Sequence, residues 1–148
     1  MTKIDKEDFH KEIDLIQSCI NRMANNSFLI KGWAISIIAI VLTVVDKNVS
    51  LPFLCIITLL PLISFWYLDA FFLYTERLYR KIYEWVIVER PKENSDFMFD
   101  LNPHRFIPLR DTNDKKITIW SVMFSKTLIP FYGIPVLLVV LYLIFFKI

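Results

Sequence analysis

The ionisable residues that could do chemistry in this chain follow directly after an apolar run. Asp69 comes next after residues 51–68, a stretch long enough to cross a bilayer, and Glu76 lies two helical turns further along the same face. Two carboxylates could share acid and base work, but only inside a closed pocket, which the sequence does not reveal. Ionisable groups at a membrane edge are candidates for function. The competing interpretation is an interfacial girdle of aromatic residues followed by an ordinary amphipathic helix.

Further polar residues accompany these two carboxylates. Glu76 and Arg80 are four residues apart in the favourable order, which is worth about 0.3 to 0.5 kcal/mol on an exposed helix. Together with polar residues of the first helix they form a predicted gate or vestibule cluster, whose members are Asn21, Arg22, Asp69, Glu76, Arg77 and Arg80. The alternative for the basic members is a solvated face or contact with lipid headgroups.

Small residues form a stripe on the first apolar helix. Gly32, Ser36, Ala39 and Thr43 follow steps of four, three and four, and Asn25 extends the same face backwards. Small residues let helices approach closely, whereas hydroxyl groups on such a face can also meet water in a pore. The pattern favours helix packing over pore lining. Because so few helices enclose no pathway alone, conduction would require a homo-oligomer.

Signals for catalysis and for metal binding are poor. The chain has no Gly-rich phosphate loop, no nucleophile elbow and no histidine pair at helical spacing. Cys19 and Cys55 lie on different segments, and the two histidines, His10 and His104, show no ligand spacing with them. We therefore expect no catalytic residue, no metal site, no cofactor and no enzymatic activity.

The elements that position these residues are predicted to be helices. The chain is 55% apolar and holds only two glycines, which is typical of an all-α membrane protein. One membrane domain is expected, with three transmembrane helices, the first two projecting into the cytoplasm beside a small cytoplasmic cap. Its predicted parts are an amphipathic and first transmembrane helix (5–45), a second with its extension (51–90), a connector (91–113), an interfacial helix (114–127) and a third crossing (128–146).

The distribution of basic residues predicts the orientation. Lys and Arg number five up to Lys31 and ten over residues 69–127, whereas only Lys47 and Lys147 lie on the other side of the predicted crossings. By the positive-inside rule, the N-terminus and the long middle segment are expected in the cytoplasm.

Two blocks of sequence carry a resemblance. Residues 16–33 (IQSCINRMANNSFLIKGW) and 65–86 (FWYLDAFFLYTERLYRKIYEWV) resemble the signature blocks of a family of small bacterial membrane proteins that includes the channel effectors of the Hailong anti-phage system. The resemblance implies a multi-pass protein of the bacterial inner membrane that depolarises an infected cell in abortive infection. It also implies control by a nucleotidyltransferase partner or its oligonucleotide product.

A second functional hypothesis uses the same topology without a pore. The chain could be a non-conducting membrane anchor that recruits a cytoplasmic enzyme through residues 69–127. In both hypotheses membrane lipid is the immediate surrounding of the apolar helices.

Overall fold

The computed structural model describes residues 5–44, 50–110 and 116–146. Over these residues the fold is all-helical, with 81% helix and no strand, as the composition predicts. Residues 46–49, between the predicted helices 5–45 and 51–90, lie outside the described residues.

The first helix, α1, covers Lys6–Val44. It begins after Asp5, whose backbone carbonyl accepts a hydrogen bond from the amide of Phe9 at 3.1 Å. Glu7 and Asp8 occupy the first turn, where the helix dipole favours acidic groups. Apolar residues at helical spacing then continue into the apolar run without a proline, so one helix forms over 39 residues.

The second helix, α2, covers Leu51–Glu89. Its start is set by Ser50, whose carbonyl accepts hydrogen bonds from the amides of Phe53 and Leu54 at 3.1 and 3.2 Å. The helix continues through Pro61 and gives way to a short 3₁₀ turn that contains Pro91. A proline cannot donate the next helical hydrogen bond, which explains why the helix ends here.

Shorter elements follow α2. They are two 3₁₀ turns (Arg90–Lys92 and Pro103–Phe106), α3 (Ile119–Met123), a π-helical turn (Ile129–Gly133) and α4 (Ile134–Phe146).

The interfacial helix is much shorter than the predicted 114–127. Its predicted start lies outside the described residues, and α3 has only five residues. Upstream, the amide of Ile117 donates to the carbonyl of Leu109 at 2.6 Å, and Arg110 and Lys116 form an antiparallel bridge. These pairings hold the backbone before α3 in an extended form.

The described residues divide into two compact units. Those of 1–25 and 72–118 form a unit that we call the loop-bearing unit, and those of 26–71 and 119–148 form a unit that we call the apolar unit. Both α1 and α2 contribute residues to each unit.

An apolar cluster forms the core of the loop-bearing unit. Ile16 and Met23 of α1 pack with Tyr79, Ile82 and Val86 of α2. The two α1 residues lie seven apart, which places them on one face of the helix. Of the connector, Leu101 and Phe106 pack against this cluster.

In the loop-bearing unit, a buried ion pair joins α1 to the end of α2. The Arg90 guanidinium donates to both carboxylate oxygens of Glu12, at 2.6 and 2.7 Å, and both side chains are almost fully buried. Arg90 also donates to the carbonyls of Asn94 and Asp96, and Glu12 accepts the amide of Phe99. One bidentate pair therefore holds α1, the end of α2 and the following loop.

Aromatic rings surround a second guanidinium in the same unit. Arg105 lies 4.9 Å from the ring centroid of Trp85 and about the same distance from those of Phe97 and Phe106. Arg105 also lies 3.7 Å from the carboxylate of Asp100. Burial lowers the pKa of Arg105 from its ordinary value, because the charged form loses solvation.

Two helices have the length and composition to cross a membrane. They lie within Lys6–Val41 and Pro52–Lys92. The apolar helix at Ile129–Leu138 is shorter, so the third crossing stays a prediction.

We predict that the Glu12–Arg90 pair is a main support of the loop-bearing unit. Arg90→Met leaves the Glu12 carboxylate buried without a counter-charge, so we expect a loss of about 3 to 5 kcal/mol in unfolding free energy. Thermal unfolding followed by tryptophan fluorescence measures it, because Trp85 lies 5.1 Å from the Arg90 guanidinium.

The double variant Glu12→Gln/Arg90→Met should lose less than the sum of the two single losses, since it leaves no unpaired charge. Glu7→Gln, which removes the exposed pair with Lys11, is the matched control and should change stability far less. Equal effects of Arg90→Met and Glu7→Gln would contradict the assignment.

Candidate functional site

Asp69 of α2 is the central residue of a buried polar site in the apolar unit. Its side chain has no solvent exposure. The Ser27 hydroxyl of α1 donates to its Oδ1, and the Lys31 ammonium lies 2.6 Å from its Oδ2. The carboxylate is therefore bound by α1 at both oxygens.

Lys31 and Ser27 are also joined to each other. Lys31 Nζ donates to the Ser27 hydroxyl at 2.8 Å, so the three side chains form a closed ring of contacts. Ser27 and Lys31 are four residues apart on α1, which places both on the face toward Asp69. The Lys31 side chain is 28% exposed, so its ammonium reaches the buried carboxylate from the edge of the unit.

Tyr132 brings the C-terminal part of the apolar unit to the same carboxylate. Its side chain is fully buried and in electrostatic contact with Asp69, although its hydroxyl does not meet hydrogen-bond geometry. The ring stacks on Trp66, with centroids 6.2 Å apart, and Trp66 Nε1 donates to the carbonyl of Met123 at 2.8 Å. These contacts hold the segment after α3 against α2.

The arrangement differs from the serine–lysine pair of a nucleophilic enzyme. A serine beside a lysine can be activated when the lysine is neutral. The Lys31 ammonium instead binds the Asp69 carboxylate, and Ser27 is only 3% exposed. Among the described residues no group of three His, Cys, Asp or Glu side chains could hold a metal ion. The site is an ion pair that joins α1 to α2.

The predicted gate or vestibule residues divide between the two units. Asp69 lies in the apolar unit, where in this conformation it does not face an open space, and the other five lie in the loop-bearing unit. Glu76 is mostly buried and accepts from Arg80 at 2.8 Å, with the terminal nitrogen of Arg80 at 2.6 Å. Arg77 is half-buried.

Asn21 and Arg22 lie on the exposed surface of α1. Burial and the neighbouring Cys19 raise the pKa of Tyr79, and the positive charge of Arg22 opposes this rise. Asn25 is also exposed.

The small-residue stripe faces away from the rest of the apolar unit. Gly32, Ser36, Ala39 and Thr43 are all exposed, and a Cβ added at Gly32 would meet no atom within 4 Å. The two hydroxyls bond back to α1 itself, from Ser36 to the carbonyl of Gly32 at 2.9 Å and from Thr43 to that of Ile40 at 2.8 Å. No helix of the described chain covers this stripe.

Sequence reasoning missed two residues of the buried site. Ser27 and Tyr132 have no unusual spacing in the sequence, and no local pattern connects Lys31 with Asp69. The available signal was the position of Ser27 one helical turn before Lys31, which gives Asp69 two possible partners on one face.

We predict that Lys31→Met destabilises the apolar unit more than Ser27→Ala. The first change leaves a buried carboxylate without its counter-charge, which costs about 3 to 5 kcal/mol, whereas the second removes one hydrogen bond and costs about 1 to 3 kcal/mol. Unfolding in detergent, followed by tryptophan fluorescence, gives the order.

Ser64→Ala is the matched control, because the Ser64 hydroxyl is exposed and bonds only to the carbonyl of Leu60 in its own helix. The unfolding free energy of Ser64→Ala should be close to that of the unsubstituted protein. A loss for Ser64→Ala as large as that for Ser27→Ala would argue against a specific role of the buried site.

Comparison of the chain with protein-family models, with curated proteins and with solved structures found no match.

Proposed function

We propose that this protein is an integral membrane protein of the bacterial inner membrane that assembles as a homo-oligomer and conducts ions. The observation that carries the proposal is the exposure of its most apolar segments. In the most apolar 18-residue stretch of each helix, only 11% of the residues in α1 and 22% of those in α2 are buried. The core helix of a soluble protein would be mostly buried, so these surfaces suit lipid.

The individual side chains support a lipid-facing surface. Phe28, Trp33 and Leu60 of the apolar unit are 73%, 63% and 67% exposed. In the same unit the charged Asp69 is fully buried. Apolar side chains outside and a paired charge inside is the distribution expected for a helix bundle in a bilayer.

The stripe of small residues on α1 supports an oligomer. It lies opposite the α1 face that carries Ser27 and the buried Ala34, so it is available to a second copy. Its hydroxyls are already bonded within α1, so they can enter a dry helix contact without an unsatisfied polar group. Close approach of helices is what small residues provide.

The ion pathway is proposed to lie between copies. Within one chain, the space between the packed segments of the apolar unit is occupied by the side chains of Asp69, Ser27, Lys31 and Tyr132. Residues 128–146, which span roughly 28 Å if helical throughout, are proposed as the third crossing. The excess of Lys and Arg then gives a cytoplasmic N-terminus.

The proposed biological role rests on the resemblance of residues 16–33 and 65–86 to the family of small bacterial membrane proteins that includes the Hailong effectors. It supports an effector that depolarises the membrane of a phage-infected cell. A nucleotidyltransferase partner, or its oligonucleotide product, is the proposed regulator.

Bulky residues on the stripe should prevent assembly and conduction. For Ser36→Leu/Ala39→Leu in proteoliposomes we expect a loss of ion flux of about tenfold, because the larger side chains separate helices that small residues bring together. The oligomeric mass in detergent should fall with the flux.

Leu60→Phe is the matched control, since it enlarges an exposed apolar residue on α2 away from the stripe. It should leave both mass and flux unchanged. Proteoliposomes of the unsubstituted full chain that leak no more than protein-free vesicles would contradict the proposed conduction.

A further inference from the structure

A groove on the loop-bearing unit combines an apolar floor with charges of both signs. It is lined by Lys11, Asp14 and Leu15 of α1 and by Phe99 of the following loop, and has a volume of about 420 Å³. Leu15 is 45% exposed and Phe99 is 42% exposed. Phe97 contacts the Trp85 ring of α2 edge to face, yet Phe97 and Phe99 both keep large exposed surfaces.

The backbone that presents Phe99 is strained. Phe97 and Phe99 have φ angles of 56° and 58°, in the left-handed region that side chains rarely adopt. Such conformations persist only when surrounding contacts impose them, and they gather at functional positions.

The contacts that impose this strain come from the buried ion pair. Arg90 donates to the carbonyls of Asn94 and Asp96, and Glu12 accepts the Phe99 amide at 3.1 Å. The unit thus uses its most buried charges to hold a half-exposed aromatic side chain beside Leu15. Phe99 itself is not a member of the apolar cluster of this unit.

We propose that this groove binds the same groove of a second copy of the chain. The argument for this occupant is charge complementarity. Lys11 already pairs with Glu7 at 2.8 Å, but this pair is solvent-exposed and the Lys11 side chain stays 59% accessible. Lys11 and Asp14 are three residues apart on one face of α1, so in a two-fold contact each Lys11 can also reach Asp14 of the second copy. Leu15 and Phe99 of the two copies then cover each other, which removes their apolar surface from water.

This inference deepens the proposed homo-oligomer and rests on it, but it concerns a contact separate from the small-residue stripe. A test must therefore report on the groove itself. Ser18 is exposed one turn after Asp14 and Leu15 on the same face of α1. Ser18→Cys places a thiol at the edge of the groove with almost no change in side-chain size.

The experiment uses the full chain in membranes, with Cys19→Ser and Cys55→Ala as background and a short bismaleimide as cross-linker. Ser18→Cys should give a cross-linked dimer, and Glu84→Cys, an exposed position on α2 of the same unit, should not. Adding Lys11→Asp or Asp14→Lys should lower the dimer yield about tenfold, because like charges then face each other at two places.

Co-expression of the two charge-reversed chains gives the decisive result. One carries acidic residues at both positions and the other basic residues, so the yield should return and every dimer should contain one chain of each kind. Phe99→Ala should lower the yield without charge reversal. Thermal unfolding of each variant shows whether it is folded.

Two results in a protein that is oligomeric and conducts would overturn the inference. One is that Ser18→Cys gives no cross-linked dimer, and the other is that the dimer yield does not change when the charges at Lys11 and Asp14 are reversed. Capture of another protein by Ser18→Cys instead of a second copy would also overturn it. Loss of flux in Ser36→Leu/Ala39→Leu with an intact charge-dependent cross-link would separate this contact from the stripe. Absence of any oligomer and of any flux in the unsubstituted chain would contradict the proposed function as well.

Discussion

A fully buried carboxylate must be neutralised where it lies, and Asp69 imposes that requirement on the apolar unit. Both of its oxygens are bound from α1, by the Ser27 hydroxyl and the Lys31 ammonium. An ionised carboxylate in apolar surroundings without such partners would cost several kcal/mol or lose its charge. The register of α1 against α2 follows, because a helix rotated by one residue would turn Ser27 and Lys31 away.

The loop-bearing unit obeys the same rule with a different pair. Glu12 and Arg90 neutralise each other, and Arg90 uses its remaining donor on the loop carbonyls of Asn94 and Asp96. These partners are 78 residues apart in the sequence, and Ser27 and Asp69 are 42 apart. Helical periodicity describes neighbours three or four residues apart, so it carries no information about either pairing.

This difference explains how much the sequence could predict. The long helices were expected at 5–45 and 51–90 and are observed at Lys6–Val44 and Leu51–Glu89, because apolar periodicity and proline act locally. The backbone course of the connector could not be predicted from local sequence patterns. Its course depends on Arg90 bonds to backbone carbonyls and on positive φ angles at Phe97 and Phe99, which no propensity of phenylalanine indicates.

The serine hydroxyls show why the candidate site needed the structure. Ser27, Ser36 and Ser64 all lie in apolar helical sequence, yet only the Ser27 hydroxyl bonds across to another helix, while the other two bond to the turn before them. A hydroxyl that is satisfied within its own helix can face lipid or a second copy without water. A hydroxyl that supports a buried charge cannot move away from it without leaving the charge unpaired. The charged interior of the apolar unit is therefore closed by its own pairing, whereas the outward stripe of α1 is free to enter a dry contact with a second copy.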